Sequence, residues 1–112
     1  MPEQPVPYGV FTICGVFTIQ PGHPCLPGHF PGNPIVPGVV LLDHTLALVR
    51  AACPGRDVSH LRNVRFRRPV RPGQAVAVQI ATGRKGDVDF TGLHAGEIML
   101  SGSARLEAAQ PL

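Results

Sequence analysis

The segment from Gly28 to Asp43, GHFPGNPIVPGVVLLD, gathers residue types that move protons. The ordinary pKa of a histidine lies near neutrality, so His29 can take or give a proton at working pH. Asp43 stands fourteen positions later, inside an apolar run. An apolar setting desolvates a carboxylate, raises its pKa and lets it donate a proton. Gly38 lies between them, where a helix is expected to begin, and the first N–H groups of a helix have no intrahelical acceptor. Together these residues offer a base, an acid and a helix end that stabilises negative charge.

The elements that must position them can be read from pattern. His29 lies on a turn-rich segment: six prolines and four glycines fall between Pro21 and Gly38. His23, His29, Phe30 and Ile35 in the same stretch argue for an ordered loop over a linker. Gly38 to about Ala52 has good helix composition, with Pro37 just before it and Pro54-Gly55 after it. Val39, Val40, Leu41, Leu42, Leu46, Leu48 and Val49 make this helix apolar nearly all round. Such a helix is expected to be wrapped on most sides, with Asp43 and His44 interrupting the apolar run.

The rest of the chain alternates as strands do. Tyr8 to Ile19 reads as one strand before the loop. His60 to Val70, Gln74 to Thr82, Val88 to His94 and Glu97 to Leu106 follow the helix, separated by turns at Pro72-Gly73, Arg84 to Asp87 and Ala95-Gly96. A sheet curled around one central helix, an α+β arrangement, accounts for this order. The 112 residues contain no internal repeat and no boundary, so one domain over 1–112 is expected.

Composition narrows the function classes. Hydrophobic residues make up 44% and charged residues 15%, the reverse of a disordered chain. The cysteines, Cys14, Cys25 and Cys53, are odd in number and form no CxxC pair, which suits a reducing compartment. No basic region precedes the first apolar stretch, and no run of about 18 apolar residues exists. The expectation is a cytoplasmic protein without a membrane span. His23, His44, His60 and His94 lack ligand spacing, so no metal site is expected.

Net charge is +3, and seven of the ten Lys and Arg residues lie between Arg50 and Arg71. In sequence only Asp57 opposes them. Such a cluster suits an acidic partner or a solvated strand face. Phe66 stands alone among these arginines, too few aromatics for a base-stacking surface, so no nucleic acid is expected.

HFPG, then PxxPG, then an acid fourteen residues after the histidine resembles the active-site motif of bacterial 3-hydroxyacyl-[acyl-carrier-protein] dehydratases. NVRFRRPVRPGQ, Asn63 to Gln74, is similar to that family's strand and turn after the helix. The resemblance implies the hot-dog fold, a curved antiparallel sheet around one long helix. The aspartate at 43 resembles the 3-hydroxydecanoyl/3-hydroxymyristoyl type, and the short chain resembles compact members of aryl-polyene or other specialised lipid pathways. It implies His29 as the catalytic histidine, Asp43 as the catalytic acid and Gly38 as the N–H that binds the thioester carbonyl. Phe30, Pro37 and His44, beside these groups in sequence, are further candidates for substrate contact. In the family the site forms between two subunits, so at least a homodimer is implied. Arg62, Arg65, Arg67 and Arg68 are the candidates for docking acidic acyl carrier protein, whose phosphopantetheine carries the substrate; no other cofactor is implied.

Dehydration of a 3-hydroxyacyl thioester to the trans-2-enoyl thioester suits these groups chemically. The α-proton needs a base, hydroxide needs a proton to leave, and the enolate oxygen needs donors. Family members often carry Gln one helical turn after the acid; here Ala47 stands there, leaving His44 or Thr45 to orient Asp43. Two alternatives stand beside this one: a hot-dog acyl thioesterase, and a non-catalytic acyl-carrier-binding subunit of an active partner.

Overall fold

The structure, a computed structural model, describes residues 12–21, 35–82 and 87–108. His29, Phe30, Cys25 and most of the Pro/Gly loop lie outside the described residues. Five strands and one helix run in the order β1 (Thr12–Thr18), α1 (Gly38–Ala52), β2 (Arg56–Phe66), β3 (Ala75–Thr82), β4 (Asp87–His94) and β5 (Glu97–Ala108). The strands form one antiparallel sheet, ordered β1-β3-β4-β5-β2. This is the expected α+β arrangement, with β1 and β2 as its two edges.

Local chemistry sets the boundaries. Pro37 occupies the N-cap of α1 with φ −59° and ψ 144°, where its missing N–H costs nothing. Pro54-Gly55 closes the other end, Gly55 at φ 80°. Ala95 and Gly96 both have positive φ, 52° and 81°, which fits the twist of a two-residue hairpin between β4 and β5. Strand β2 starts four residues before the expected His60 and stops at Phe66. Beyond it the Arg67 and Arg68 N–H groups both reach the Met99 carbonyl, at 2.8 and 3.4 Å, and Pro69 has no N–H to continue the ladder.

Alternation divides the sheet into two faces. Inward lie Val76 and Val78 of β3, Val88 and Phe90 of β4, and Leu100, Ala104 and Leu106 of β5, all buried. They meet Leu41, Leu46 and Val49 of α1 in one apolar cluster. Phe90 is 1% exposed, and truncating such a side chain costs about 3–5 kcal/mol. Register shifts interrupt the ladder in β1, in β2 and between Gly92 and Leu93, and such irregularities bend and twist a strand locally. A Cβ at Gly92 would lie 2.5 Å from Leu100 Cδ2, so close packing of side chains requires glycine there.

Helix α1 corrects one expectation. It is not wrapped on most sides: Val39, Asp43, Ala47 and Arg50 form an exposed stripe. Leu41, Thr45, Leu46 and Val49 form the buried one. The sheet covers one side of the helix, and Val39, although apolar, is 73% exposed. Asp43 is therefore solvated in the single chain rather than desolvated by its apolar neighbours.

Candidate active site

The segment just before α1 and the segment just after β2 are tied together. The Val36 N–H donates to the Val70 carbonyl at 2.8 Å, and both residues are buried. This contact brings the start of the helix against Phe66 to Val70. The result is a cavity of about 310 Å³ lined by Ile35, Gly38, Leu41, Phe66, Arg67 and Arg68, among others. That volume is at the lower end for small-molecule sites.

Gly38 lies at the head of this cavity. A Cβ there would stand 3.1 Å from Phe66 Cζ, so the ring and the helix backbone approach as only glycine allows without adjustment. The Pro37 carbonyl accepts from the Val40 and Leu41 N–H groups, at 3.0 and 3.2 Å. Among the described residues nothing accepts from the Gly38 and Val39 N–H groups. Among the described residues no side chain caps the helix, and no acid lies in its first turn. The positive end of the helix dipole thus faces a mostly apolar pocket without a built-in counter-charge.

The arginines expected to act as one group are divided. Arg67 and Arg68 line the cavity, with Arg68 Nε 3.1 Å from Glu97 Oε1 at the surface. Arg62 points to the outer face, where it pairs with Asp87; Arg105 Nε lies 3.2 Å from the same carboxylate. Arg65 also faces outward, opposite Ser101. Asp57 is therefore not the sole opposing acid: Asp87 and Glu97, distant in sequence, hold Arg62 and Arg68, while Asp57 holds Arg50 at 3.2 Å.

The other expected residues fall apart in an informative way. Asp43 is on the exposed stripe, and among the described residues no donor reaches its carboxylate. Thr45 cannot orient it, because the Thr45 hydroxyl is buried and donates to the Leu41 carbonyl at 2.8 Å. The His44 ring stacks on Phe17 of β1, with centroids 5.2 Å apart, so it packs against the sheet. Pro37 caps the helix beside the cavity. His94 donates to the Ala75 carbonyl at 2.8 Å and His60 lies 3.1 Å from the Ser59 hydroxyl. Phe66 is the lining residue that sequence reasoning placed only among the arginines; its place in the motif NVRFRRP was the available signal.

Comparison with known proteins bears on the family and the fold. The family model described as ApeI-like, ApeI dehydratase, matches residues 2–103. The chain belongs to the ApeI-like dehydratase family. A 3-hydroxyacyl-[acyl-carrier-protein] dehydratase from Haemophilus influenzae is 36% identical over 86 residues, 67% of this chain and 58% of that relative. The corresponding dehydratase of Mannheimia succiniciproducens is 32% identical over 103 residues, covering 82% of this chain and 69% of its own. The chain thus spans a little over half the length of the first of these relatives. Among solved structures, a chain of the dehydratase heterocomplex ApeI:P from Xenorhabdus doucetiae superposes with a TM-score of 0.69 at 24% identity, covering 93% of this chain and 91% of that one. An uncharacterised protein from Erwinia carotovora gives 0.70 at 22% identity, over 83% and 80%. The fold of this ApeI-like protein is the hot-dog fold.

Proposed function

We propose that this protein dehydrates a 3-hydroxyacyl thioester carried on acyl carrier protein, giving the trans-2-enoyl thioester and water. The observation that carries the reading is the Gly38 N–H, without an acceptor among the described residues, at the head of an apolar cavity whose rim holds Arg67 and Arg68. The thioester carbonyl accepts from that N–H, and the helix dipole favours the charge that develops on its oxygen. His29 takes the α-proton. The electron pair left on the α-carbon forms the double bond as the bond to the 3-hydroxyl breaks, and Asp43 protonates the departing oxygen. Returning the proton from His29 to Asp43 through solvent closes the cycle. The elimination changes no oxidation state overall, so the chain's own groups suffice chemically. The relatives named above as acyl-carrier-protein dehydratases support the substrate class.

Asp43 acts, in this reading, in the site of a second subunit. It lies five residues after Gly38, which at about 100° per residue turns it about 140° away from the glycine around the helix axis. A single helix does not aim both groups into one cavity. The resemblance that supplies His29 from one subunit and the acid from the other fits that divergence. Arg67 and Arg68 meet the acidic carrier or the phosphate of its pantetheine arm.

The direct test incubates the purified protein with a panel of 3-hydroxyacyl carrier proteins and follows loss of water by intact mass, with hydration of the 2-enoyl forms as the reverse assay. Interconversion with the thioester intact is expected. Release of free carrier thiol would establish a thioesterase instead, and binding without turnover a non-catalytic subunit. His29→Ala and Asp43→Asn should each lose about 10²–10⁴-fold in turnover. Mixing the two variants should restore about a quarter of wild-type rate, because random exchange makes half the dimers mixed and each mixed dimer holds one intact site. No recovery on mixing, with exchange verified, would put both residues in the same subunit's site.

A further inference from the structure

The outer face of the sheet carries a second hollow of about 480 Å³, within the range of small-molecule sites. A bulge accompanies it. The ladder between β2 and β5 steps from Arg62–Ser103 to Arg65–Ser101, so Asn63 and Val64 stand against the single residue Gly102. Such a bulge bends its strand and re-aims side chains, and Asn63 takes the left-handed conformation there, φ 57°. Asn63, Arg65, Arg67, Thr91 and Ser101 line the hollow. Thr91, Ser101 and Arg65 lie side by side across β4, β5 and β2.

Most of these groups are donors without an acceptor. Arg62 and Arg105 hold Asp87, and Arg68 meets Glu97. Among the described residues neither Arg65 nor Arg67 meets a carboxylate, and the Ser101 and Thr91 hydroxyls have no protein partner. Two unpaired cations around one hollow repel each other, and an anion between them removes that repulsion. Guanidinium forks beside hydroxyl donors match the oxygens of a phosphate. One acid lines the same hollow: Asp89, two residues along β4 from Thr91, a step of about 7 Å. The Ser103 hydroxyl donates to Asp89 Oδ1 at 2.7 Å, which leaves Oδ2 to accept from a ligand. A carboxylate there disfavours a bare dianion and favours one whose attached group brings it a hydroxyl. Arg67 belongs to both hollows, lining the acyl cavity as well as this one. Its backbone is held by the N–H bond to the Met99 carbonyl at 2.8 Å, so a change of side falls to the side chain.

We propose that the outer hollow binds the phosphate monoester of a small hydroxylated molecule, of the sugar phosphate kind, and that this ligand draws Arg67 away from the carrier substrate. Arg65, Arg67, Ser101 and Thr91 hold the phosphate, and Asp89 accepts from a hydroxyl. Binding stands on its own; the effect on carrier KM rests on the dehydration proposed above. Ribose 5-phosphate and inorganic phosphate, titrated calorimetrically into the purified protein at low salt, should both bind, the sugar phosphate more tightly. Arg65→Gln should weaken both about tenfold or more, by loss of one charge-assisted contact, with circular dichroism unchanged. Asp89→Asn should bring the two affinities together. In the carrier assay ribose 5-phosphate should raise KM severalfold at constant turnover, beyond the effect of sodium chloride at equal ionic strength, and Arg65→Gln should lose that rise. No binding of either phosphate overturns the proposal, as does binding that Arg65→Gln leaves intact. Tighter binding of 4′-phosphopantetheine than of ribose 5-phosphate also overturns it, since the hollow would then seat the carrier's own arm. A KM that moves no further than in the chloride control overturns the sharing of Arg67. A protein that binds ribose 5-phosphate as stated but turns over no 3-hydroxyacyl substrate keeps the site and sinks the proposed function.

Discussion

On its inner face the sheet offers the helix Val76, Val78, Val88 and Phe90; on its outer face the same two strands offer Gln79, Asp87, Asp89 and Thr91. The inner surface is closed by packing. The outer one is held by charge and hydrogen bonds: Asp87 between Arg62 and Arg105, and the Ser103 hydroxyl donating to Asp89 at 2.7 Å. The difference decides what an arginine can do here. Arg62 lies within β2, points outward and is used by the fold. Arg67 lies just beyond the strand, where the chain turns over the helix start, and lines the cavity with no partner among the described residues. Five residues along the chain separate a structural cation from one free for a ligand.

The inner region should break most sharply at Gly38. Gly38→Val adds a branched side chain into the 3.1 Å approach between the helix start and Phe66. The Phe66 ring is half exposed and can swing away, so the fold should survive with its melting midpoint close to wild type. The swing fills the head of the cavity and pushes a carbonyl away from the N–H. Losing one such donor raises a barrier by about 2.7–4 kcal/mol, roughly a hundredfold or more in turnover. A near-normal rate for Gly38→Val would show that the carbonyl binds elsewhere.

The outer region should break at Asp87, with the opposite signature. Its side chain is 8% exposed and it holds two cations. Asp87→Ala removes the charged acceptor and leaves Arg62 and Arg105, both partly exposed, to be solvated by water. The cost should be about 2 kcal/mol of stability, read as a lower urea midpoint with unchanged slope. Turnover per folded molecule should stay at the wild-type level. A fall in turnover without a fall in stability would mean that the outer face takes part in the site.

How much of this was legible in the sequence differs between the two regions for a physical reason. The helix from Gly38 to Ala52 was legible, because proline at one end and Pro-Gly at the other punctuate a mostly apolar run. The turns at Pro72-Gly73 and Ala95-Gly96 were legible because they need unusual φ values. The Asp87–Arg62 pair was not, since it joins residues 25 apart that only strand order brings together. The exposure of Asp43 was misread because an apolar composition gives no information on which side of a helix the sheet will cover. His29 was singled out by motif, but it lies outside the described residues. Of the cysteines, Cys14 is partly buried: burial pushes its thiol above the ordinary range, and the nearby Cys53 adds to the shift. Its thiolate is correspondingly scarce at neutral pH, since the proton comes off only at higher pH.

The smallest expected effect is also the one that tests the comparison most directly, because it sets the two arginines against each other. Arg67→Gln and Arg62→Gln each remove one positive charge from the same stretch of chain. If charge acted as an undivided cluster, both would weaken carrier binding alike. The cavity lining says otherwise: Arg67→Gln should raise KM for the acyl carrier substrate severalfold, worth about 1 kcal/mol, with turnover at saturation unchanged. The rise should shrink as salt is added, because wild-type binding then loses the same screened attraction. Arg62→Gln should leave KM within error and lower stability by less than Asp87→Ala does, since Arg105 still meets the carboxylate. Equal KM shifts in the two variants would return the arginines to a single docking patch, and the division of labour between the faces of the sheet would not extend to the carrier.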